Sequence, residues 1–360
     1  MSLLSEAVCP ACRRDLDVGS GEEPIACSAC LLSYPRVAGI PVLLPNAEEH
    51  VALWRRQLAL LDQSGQRTVA ALKNVGGEAR LTEATRARLS ALAQAVTDQV
   101  DDITRILRPA LAGATTGTGG GLPRGIVEYI GYLYRDWAWP AVGYCENEQA
   151  VAELGRLLDG RKLGRLLVLG AGACGLAYEL HLRHGAHETV AIDIDPYLLV
   201  IGERVVRGES FRLTEASHRW IEASEVSRHW QLKAGSRPLD PEAFRCVFAD
   251  GVAPPFAHES FDTVVTSWFI DQVPRDVPAF FGTLRQLLRP GGRWLNQGPL
   301  VYPERTPFDR RYSREELFDL ARAAGLAVDD WSRASQRYLC SPLTGNGKIE
   351  SVLSFVATRR

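Results

Sequence analysis

The most constraining feature of this sequence is a glycine-rich turn between a predicted strand and a predicted helix. A strand is predicted over 165–169 from the apolar run 166–169, Gly170-Ala171-Gly172-Ala173-Cys174-Gly175 supplies the turn, and a helix is predicted over 176–183. Asp193 follows at the end of the next predicted strand. Glycines let a backbone approach a ligand closely, and a carboxylate at this spacing can bind ribose hydroxyls. The segment therefore predicts a site for a nucleotide-containing ligand.

From about residue 151 onward, short apolar runs alternate with amphipathic stretches. The predicted strands after the turn cover residues 188–193, 246–249, 263–267 and 293–296. The predicted helices between them cover residues 196–206 and 277–288. Strands that alternate with helices imply a parallel sheet covered on both faces, with ligands at the carboxyl ends of the strands. We expect an α/β fold with a doubly wound, Rossmann-like domain.

Composition excludes several classes of protein. With 46% hydrophobic and 23% charged residues, the chain has the composition of a folded globular protein. The net charge of −2 provides no global attraction to nucleic acid or to an anionic membrane, so a nucleic-acid partner would need a local basic patch. No apolar run is long enough to span a bilayer, and we expect a cytoplasmic protein that does not bind membranes. Assembly into a homo-oligomer is left open.

Four of the eight cysteines lie in the first thirty residues as two C-x2-C pairs. Cys9 and Cys12 form the first pair, and Cys27 and Cys30 form the second. Two such turns can bring four thiolates onto one tetrahedral ion and leave no position open for a catalytic water, so the pattern predicts structural zinc. The other four cysteines are scattered along the chain, which indicates reduced thiols instead of a disulfide framework.

The segment after the cysteine pairs, residues 34–45, resembles the closing strand of the small zinc-ribbon activator proteins that partner tRNA and translation-factor methyltransferases. The resemblance covers residues 1–48 and implies a module for docking or stabilisation. The alternative is that the metal acts only to stabilise the local fold, since metal binding can itself supply folding free energy.

The cysteine spacing and the apolar patterns divide the chain into three regions: a zinc ribbon over 1–48, a helical region over 49–150, and a catalytic domain over 151–360. Apolar residues at three- and four-residue steps predict two helices in the middle region. The glycine-rich run 112–121 predicts a flexible loop. The aromatic residues that follow form either a lid or an ordinary packed helix face: Tyr129, Tyr132, Tyr134, Trp137 and Trp139.

Later segments resemble class I S-adenosylmethionine-dependent methyltransferases. Residues 249–256 and 260–265 are similar to the third and fourth motifs of that group, and residues 287–295 are similar to its later loop and strand. Together with the glycine turn, these segments favour S-adenosylmethionine over a nicotinamide dinucleotide as the cofactor.

Within that group the chain resembles the carnosine N-methyltransferase family. The similarity is carried by Thr266-Ser267-Trp268-Phe269-Ile270-Asp271, by residues 294–302 and by Arg135-Asp136-Trp137 ahead of the turn. It extends over about 125–360, and residues 202–244 occupy the place of that family's insertion between the second and third strands. Pro303 stands where the family has a His that contacts substrate, a departure that bears on the identity of the substrate and not on methyl transfer.

The resemblance implies roles for individual residues. The residues implied to bind S-adenosylmethionine are Arg135, Gly170, Gly172, Asp193, Asp250, Gly251 and Ser267. Asp271 is implied to be the catalytic residue and to contact the substrate together with Tyr302 and Tyr338. A carboxylate can orient or deprotonate the attacking nitrogen, whereas the alternative role for Asp271 is to cap the next helix near Pro274.

We therefore expect an S-adenosylmethionine-dependent N-methyltransferase of a small molecule or peptide, with an imidazole or histidine-like group as the candidate acceptor. One alternative is a methyltransferase of RNA or protein that is guided by the zinc ribbon. The other is a non-catalytic zinc-ribbon adaptor whose α/β domain binds a ligand.

Overall fold

The computed structural model describes residues 6–16, 23–112, 126–273 and 276–360. The helices in these ranges are α1 (Ala47–Gly76), α2 (Glu83–Ala110), α3 (Ile126–Trp137), α4 (Glu146–Leu158), α5 (Gly175–Arg183), α6 (Pro196–Val206), α7 (Val277–Leu287) and α8 (Arg314–Ala323). The strands are β1 (Ile25–Ala26), β2 (Ser33–Tyr34), β3 (Arg36–Val37), β4 (Ile40–Leu43), β5 (Gly164–Leu169), β6 (Ala186–Asp193), β7 (Phe211–Ala216), β8 (Ser227–Leu232), β9 (Phe244–Ala249), β10 (Phe261–Ser267), β11 (Leu288–Gly298), β12 (Leu326–Tyr338) and β13 (Lys348–Arg359). Among the described helices, none has both the length and the apolar character that a membrane span requires.

Nine of the described strands form one sheet in the order β12-β13-β11-β10-β5-β6-β9-β4-β3. The six strands from β11 to β4 are parallel to their neighbours, and the remaining pairings in the sheet are antiparallel. The strand order reverses between β5 and β10, and open α/β sheets bind their ligands at the carboxyl ends of the strands on either side of such a reversal. The architecture confirms the predicted doubly wound α/β fold.

The central strands are buried along almost their whole length. In β5 every residue after Gly164 is buried, and in β10 the core residues Val264 and Val265 are fully enclosed. Parallel strands that are covered on both faces are nearly continuous apolar runs in sequence, which is why the apolar run 166–169 predicted this strand. The sheet thereby holds the loops at its carboxyl edge on a rigid base.

The N-terminal segment ends inside the main sheet. Its strands β1 and β2 pair with each other, whereas β4 lies parallel to β9 with Val42 opposite Phe248 and Leu43 opposite Ala249. The residues of β4 are all buried. The division of the chain at residues 48 and 150 stays a proposal, and two strands of the first region, β4 and β3, extend the sheet of the third.

The middle region contains the two predicted helices as a long antiparallel pair. Burial in α1 ends at Leu61 and burial in α2 begins at Leu92, so the buried residues lie in the first half of α1 and in the later part of α2. The hairpin of β7 and β8 lies in the segment 202–244 and contacts α2 through a 2.8 Å hydrogen bond from Thr214 to Asp102. The loop predicted over 112–121 lies outside the described residues, apart from Ala112.

Candidate active site

The glycine turn leaves the carboxyl end of β5 with a left-handed backbone at three positions. Gly170, Gly172 and Cys174 have φ values of 67°, 55° and 68°. Glycine adopts this conformation without strain, whereas the cysteine does so at a cost. Gly175 begins α5 and is required for a different reason, because a Cβ there would lie 2.5 Å from the carboxyl carbon of Asp136.

The Arg135-Asp136-Trp137 element at the end of α3 clamps this turn. The Gly175 amide donates a 2.9 Å hydrogen bond to Asp136 Oδ2, and the Trp137 indole donates a 2.8 Å hydrogen bond to the carbonyl of Ala173. A carboxylate at a helix N-terminus is also favoured by the helix dipole. Sequence reasoning singled out this element for Arg135, but it did not identify the two neighbours that fix the turn.

The structure pairs Arg135 with the acid beside it. The Arg135 Nε atom lies 2.8 Å from Asp136 Oδ1, and the guanidinium carbon lies 4.9 Å from the centroid of the Tyr132 ring. Both charged side chains are largely buried, with exposures of 11% and 1%. The contact between Arg135 and the cofactor therefore stays a prediction, while its role next to the glycine turn is visible.

Two acids follow β6 at the same edge of the sheet. Asp193 accepts hydrogen bonds of 2.7 Å from the Gly172 amide and 2.8 Å from the Asp195 amide, so it joins the end of β6 to the glycine turn. Asp195 caps α6 by accepting from the amides of Tyr197 and Leu198. Burial raises the pKa of Asp193, and burial with the nearby Asp193 charge raises the pKa of Asp195 to about 7. The sequence patterns did not lead us to Asp195, although its position before a proline at the start of a helix is typical of a helix cap.

The loop after β9 brings Asp250 and Gly251 towards the same turn. Asp250 is exposed and accepts a 2.8 Å hydrogen bond from the Val252 amide. A Cβ on Gly251 would lie 2.7 Å from the ring of Phe269, and a Cβ on Gly170 would lie 2.8 Å from that same ring. Phe269 thus packs between two loops that the sequence predicted to hold the cofactor.

Ser267 ends β10, and its hydroxyl donates a 3.2 Å hydrogen bond to the Gln297 side chain on β11. All the positions predicted to bind the cofactor, except Arg135, therefore lie at or just beyond the carboxyl ends of β5, β6, β9 and β10.

The predicted substrate residues lie next to the end of β10. Asp271 belongs to a short 3-10 helix, Ile270–Gln272, is only 4% exposed, and accepts a 3.2 Å hydrogen bond from the Val301 amide. Burial raises the pKa of Asp271 to about 6. Burial also raises the pKa values of Tyr302 and Tyr338, and the charge of Asp271 contributes to both shifts. The Asp271 carboxylate is thus close enough to both tyrosines to affect their ionisation.

Aromatic rings line this end of the site. Trp268 has a left-handed backbone and stacks on Tyr338 with ring centroids 3.9 Å apart, and the Tyr338 hydroxyl forms a short hydrogen bond with the Tyr132 hydroxyl. Within the aromatic cluster, the side chains of Tyr134, Trp137 and Trp139 are buried. For these three residues the structure agrees with the alternative of a packed helix face. Tyr132 instead reaches a predicted substrate residue, and a lid function for it stays a prediction.

Glu146 holds the backbone directly after Tyr338. Its carboxylate accepts hydrogen bonds of 2.8 Å from the Leu339 amide and 2.6 Å from the Cys340 amide, directly after β12. No local pattern in the sequence marks this contact, because the two segments are 193 residues apart or more.

The four N-terminal cysteines form a separate cluster. Their sulfur atoms all lie within 4.8 Å of one another, and the pairs Cys9/Cys30 and Cys12/Cys27 are 3.6 Å apart. A tetrahedral zinc ion with Zn–S bonds of about 2.3 Å needs sulfurs about 3.8 Å apart, so the cluster fits zinc. The Tyr34 hydroxyl lies 3.0 Å from Cys9 Sγ and can donate a hydrogen bond to a bound thiolate.

Comparisons with known proteins place these observations in context. A family model described as carnosine N-methyltransferase matches residues 126–340. Among solved structures, the complex of the Haloferax volcanii Trm112 methyltransferase activator with the protein described as its methyltransferase is 14% identical, covers 65% of this chain and 96% of its own, and has a TM-score of 0.43.

Two further solved structures are similar to this chain. Haemonchus contortus phosphoethanolamine N-methyltransferase 2 is 16% identical over 59% of this chain and 52% of its own, with a TM-score of 0.39. An Aquifex aeolicus SAM-dependent methyltransferase is 13% identical over 60% of this chain and 90% of its own, with a TM-score of 0.36. A search of the curated proteins found no match.

Proposed function

Because this chain belongs to the carnosine N-methyltransferase family and is an S-adenosylmethionine-dependent methyltransferase, we propose that its acceptor is a nitrogen of a small molecule or peptide, with an imidazole ring as the best candidate. The observation that carries this proposal is Asp271, a buried carboxylate beside two tyrosines at the end of β10. Its alternative role as a helix cap is not supported, since Asp276 caps α7 by accepting from the Ala279 amide.

Asp271 suits a nitrogen acceptor on chemical grounds. Bound S-adenosylmethionine supplies an electrophilic methyl group on a sulfonium. Transfer forms a bond from nitrogen to the methyl carbon as the carbon–sulfur bond breaks, so the nitrogen must present a free lone pair. A carboxylate that accepts a hydrogen bond from one imidazole nitrogen selects the tautomer with the lone pair on the other. The methylated ring then loses that proton, and Asp271 is the carboxylate among the predicted substrate residues that can accept it.

The surrounding side chains support positioning of a flat ring. Trp268 and Tyr338 present stacked aromatic faces beside Asp271, and aromatic rings pack favourably on a planar acceptor. Tyr302 is held by a 3.0 Å hydrogen bond from its hydroxyl to the Tyr312 carbonyl. A carboxylate next to aromatic rings also favours an acceptor that becomes positively charged as it is methylated.

We assign cofactor binding to the loops at the carboxyl ends of the strands. The proposed cofactor residues are Arg135, Gly170, Gly172, Asp193, Asp250, Gly251 and Ser267. Asp193 is the proposed partner of the ribose hydroxyls, because its oxygens keep free lone pairs after accepting two amide hydrogen bonds.

We also assign structural zinc to Cys9, Cys12, Cys27 and Cys30, in a first region over 1–48 that precedes the helical region and the catalytic domain. The pairing of β4 with β9 supports a stabilising role for this region more than the recruitment of a macromolecular substrate.

The test is product formation from matched acceptors. Wild-type protein is assayed with an imidazole dipeptide and with the same dipeptide carrying a phenyl ring in place of the imidazole. We expect methylation of the imidazole compound only, and loss of at least about a hundredfold in kcat for Asp271→Asn with unchanged cofactor affinity. The surface variant Asp319→Asn is the control.

Three outcomes would contradict the acceptor assignment. They are equal turnover of both dipeptides, full activity of Asp271→Asn, or methylation confined to RNA or protein substrates. The last result would favour the alternative of a macromolecular substrate.

A further inference from the structure

The cysteine-rich segment contacts the loop that carries two of the proposed cofactor residues. We call residues 250–257 the cofactor loop, since it holds Asp250 and Gly251. We propose that Arg13 is a positioning residue that couples metal binding at the four cysteines to cofactor affinity by holding this loop. The inference goes beyond the methyl-transfer function and rests on the proposed cofactor and zinc residues.

Arg13 bridges two carbonyls of the cofactor loop. Its guanidinium donates hydrogen bonds of 2.9 Å to the Pro254 carbonyl and 3.0 Å to the Phe256 carbonyl. The planar fork of a guanidinium suits two acceptors at once, which a lysine ammonium does not match. Burial lowers the pKa of Arg13, and the side chain remains the donor at any physiological pH.

The position of Arg13 is set by the first cysteine turn. It directly follows Cys12, has a left-handed backbone with a φ of 61°, and donates its amide to the Cys9 carbonyl over 2.8 Å. The Cys9 amide in turn donates to the Arg14 carbonyl over 2.7 Å. An ion held by Cys9 and Cys12 therefore fixes the same few atoms from which the Arg13 side chain extends.

Backbone pairing reinforces the contact. The Val8 amide donates to the Pro255 carbonyl over 2.9 Å, and the Ala257 amide donates to the Glu6 carbonyl over 2.8 Å. These bonds flank an antiparallel bridge between Ala7 and the fully buried Phe256. The strand that leads into the cysteine turn thus pairs with the far end of the cofactor loop.

The near end of the loop is held by the same N-terminal segment. Leu43 of β4 pairs with Ala249, the last residue of β9 before Asp250. Only residues 250–253 lie between the two attachments, and they form a turn closed by a 3.2 Å bond from the Ala253 amide to the Asp250 carbonyl. The segment therefore determines how far Asp250 and Gly251 can move.

Metal binding affects the cofactor loop because it orders the cysteine turns that hold Arg13. Four thiols are joined into one unit only when an ion links them, so metal binding and local folding are coupled. A loop that must be ordered on ligand binding lowers affinity, whereas a loop held in place beforehand does not. By linkage, whatever the metal adds to cofactor affinity the cofactor adds to metal affinity.

The first experiment measures cofactor affinity in variants that keep all four cysteines. We expect Arg13→Ala and Arg13→Lys to bind S-adenosylmethionine about tenfold more weakly than wild type in calorimetric titrations, with zinc content, thermal unfolding and kcat at saturating cofactor unchanged. Arg14→Ala is the matched control, because Arg14 is adjacent to Arg13 and exposed like it, whereas the bridge to the cofactor loop is made by the Arg13 guanidinium, so this variant should bind as wild type does.

The second experiment tests the reciprocal effect without any turnover. Zinc transfer from the protein to a chromophoric chelator is measured with and without S-adenosylhomocysteine. We expect that molecule to raise zinc affinity about tenfold in wild type and in Arg14→Ala, but not in Arg13→Ala. A merely structural role of Arg13 would not produce this dependence on the cofactor product.

Two results would overturn the inference: wild-type cofactor affinity in Arg13→Ala, or zinc affinity that is the same with and without S-adenosylhomocysteine. Failure of the wild-type protein to bind S-adenosylmethionine would instead contradict the proposed cofactor site, on which this inference rests. The two failures are therefore distinguishable in the same titrations.

Discussion

At the scale of single residues, Asp271 is a carboxylate whose burial opposes its own ionisation. It is 4% exposed, and its pKa is raised from 3.8 to about 6 by loss of hydration. The ionised form still predominates at neutral pH, which the proposed role as hydrogen-bond acceptor requires. The folded state therefore carries a stability cost at this residue, which the proposed role in catalysis would explain.

Asp271→Asn should remove that cost and stabilise the fold. When the folded pKa lies above the unfolded value, the penalty on folding grows as pH rises above the unfolded pKa of 3.8 and is complete once pH exceeds the folded pKa of about 6. We expect a gain in unfolding free energy of at most about 3 kcal/mol at pH 8, at about 1.4 kcal/mol per pKa unit. The gain should shrink below pH 6 and vanish below pH 4. Urea unfolding of both proteins across this range checks it, and a gain that is constant with pH would refute the cause given.

Gly251→Ala tests the packing of Phe269 against the proposed cofactor loop. The new Cβ would lie 2.7 Å from the phenyl ring, so the loop or the ring must move. We expect cofactor affinity to fall about tenfold and Phe269→Leu to restore part of it in the double variant. Gly282→Ala on α7 is the control, since its Cβ would meet nothing within 4 Å. Equal cofactor affinity in Gly251→Ala and wild type would contradict the proposed role of this loop.

At the scale of elements, α3 and the glycine turn act together. Asp136 and Trp137 bond to the turn on either side of Cys174, the strained position. A turn with an unfavourable backbone persists only where its surroundings determine it fully. The helix before the α/β domain is thus part of the proposed cofactor site.

Trp137→Phe should destabilise the conformation of the glycine turn while an aromatic ring still fills most of the buried space. The variant keeps an aromatic ring in a buried place but leaves the Ala173 carbonyl without its 2.8 Å indole donor. Loss of one buried hydrogen bond costs about 1–2 kcal/mol, so we expect cofactor affinity to fall about fivefold to thirtyfold. Isothermal titration calorimetry measures this, with Trp331→Phe, at a half-exposed ring, as the control. An unchanged affinity would indicate that α3 does not determine the turn.

At the scale of the whole molecule, the N-terminal segment completes the sheet. Without β4, the strand β9 would be an exposed edge, which is a site for aggregation. Val37, Ile40, Val42, Leu43 and Leu44 are all at most 3% exposed. Burial of each such side chain contributes about 1.5–3 kcal/mol, so together they match the whole stability of a typical domain of about 5–15 kcal/mol.

Removal of residues 1–46 should therefore abolish the soluble folded protein. By contrast, we expect the protein to tolerate a shortening of the hairpin formed by α1 and α2. Replacement of residues 67–87 by a short Gly/Ser linker keeps all the buried residues of α1 and α2. We expect its melting temperature to lie near that of wild type. Size-exclusion chromatography and thermal unfolding compare the two proteins. A monodisperse, cofactor-binding truncation would show that the sheet does not need β4.

Much of the fold could be predicted because it leaves local patterns in the sequence. The strand β5 contains the apolar run 166–169, three glycines mark the turn after it, and the cysteine pairs have the spacing of a metal site. The placement of Asp193 and Asp250 at strand ends followed from the order of strands and helices. Their contacts with the cofactor stay predictions.

Only the tertiary structure decided what joins distant segments. Arg13 and the Pro254 carbonyl are 241 residues apart, and the paired hydroxyls of Tyr132 and Tyr338 are 206 apart. Such contacts have no period and no spacing, because they depend on how complete elements pack. The sequence by itself therefore determined the α/β fold, the glycine turn and the cysteine cluster, whereas packing alone joined the N-terminal segment to the cofactor loop.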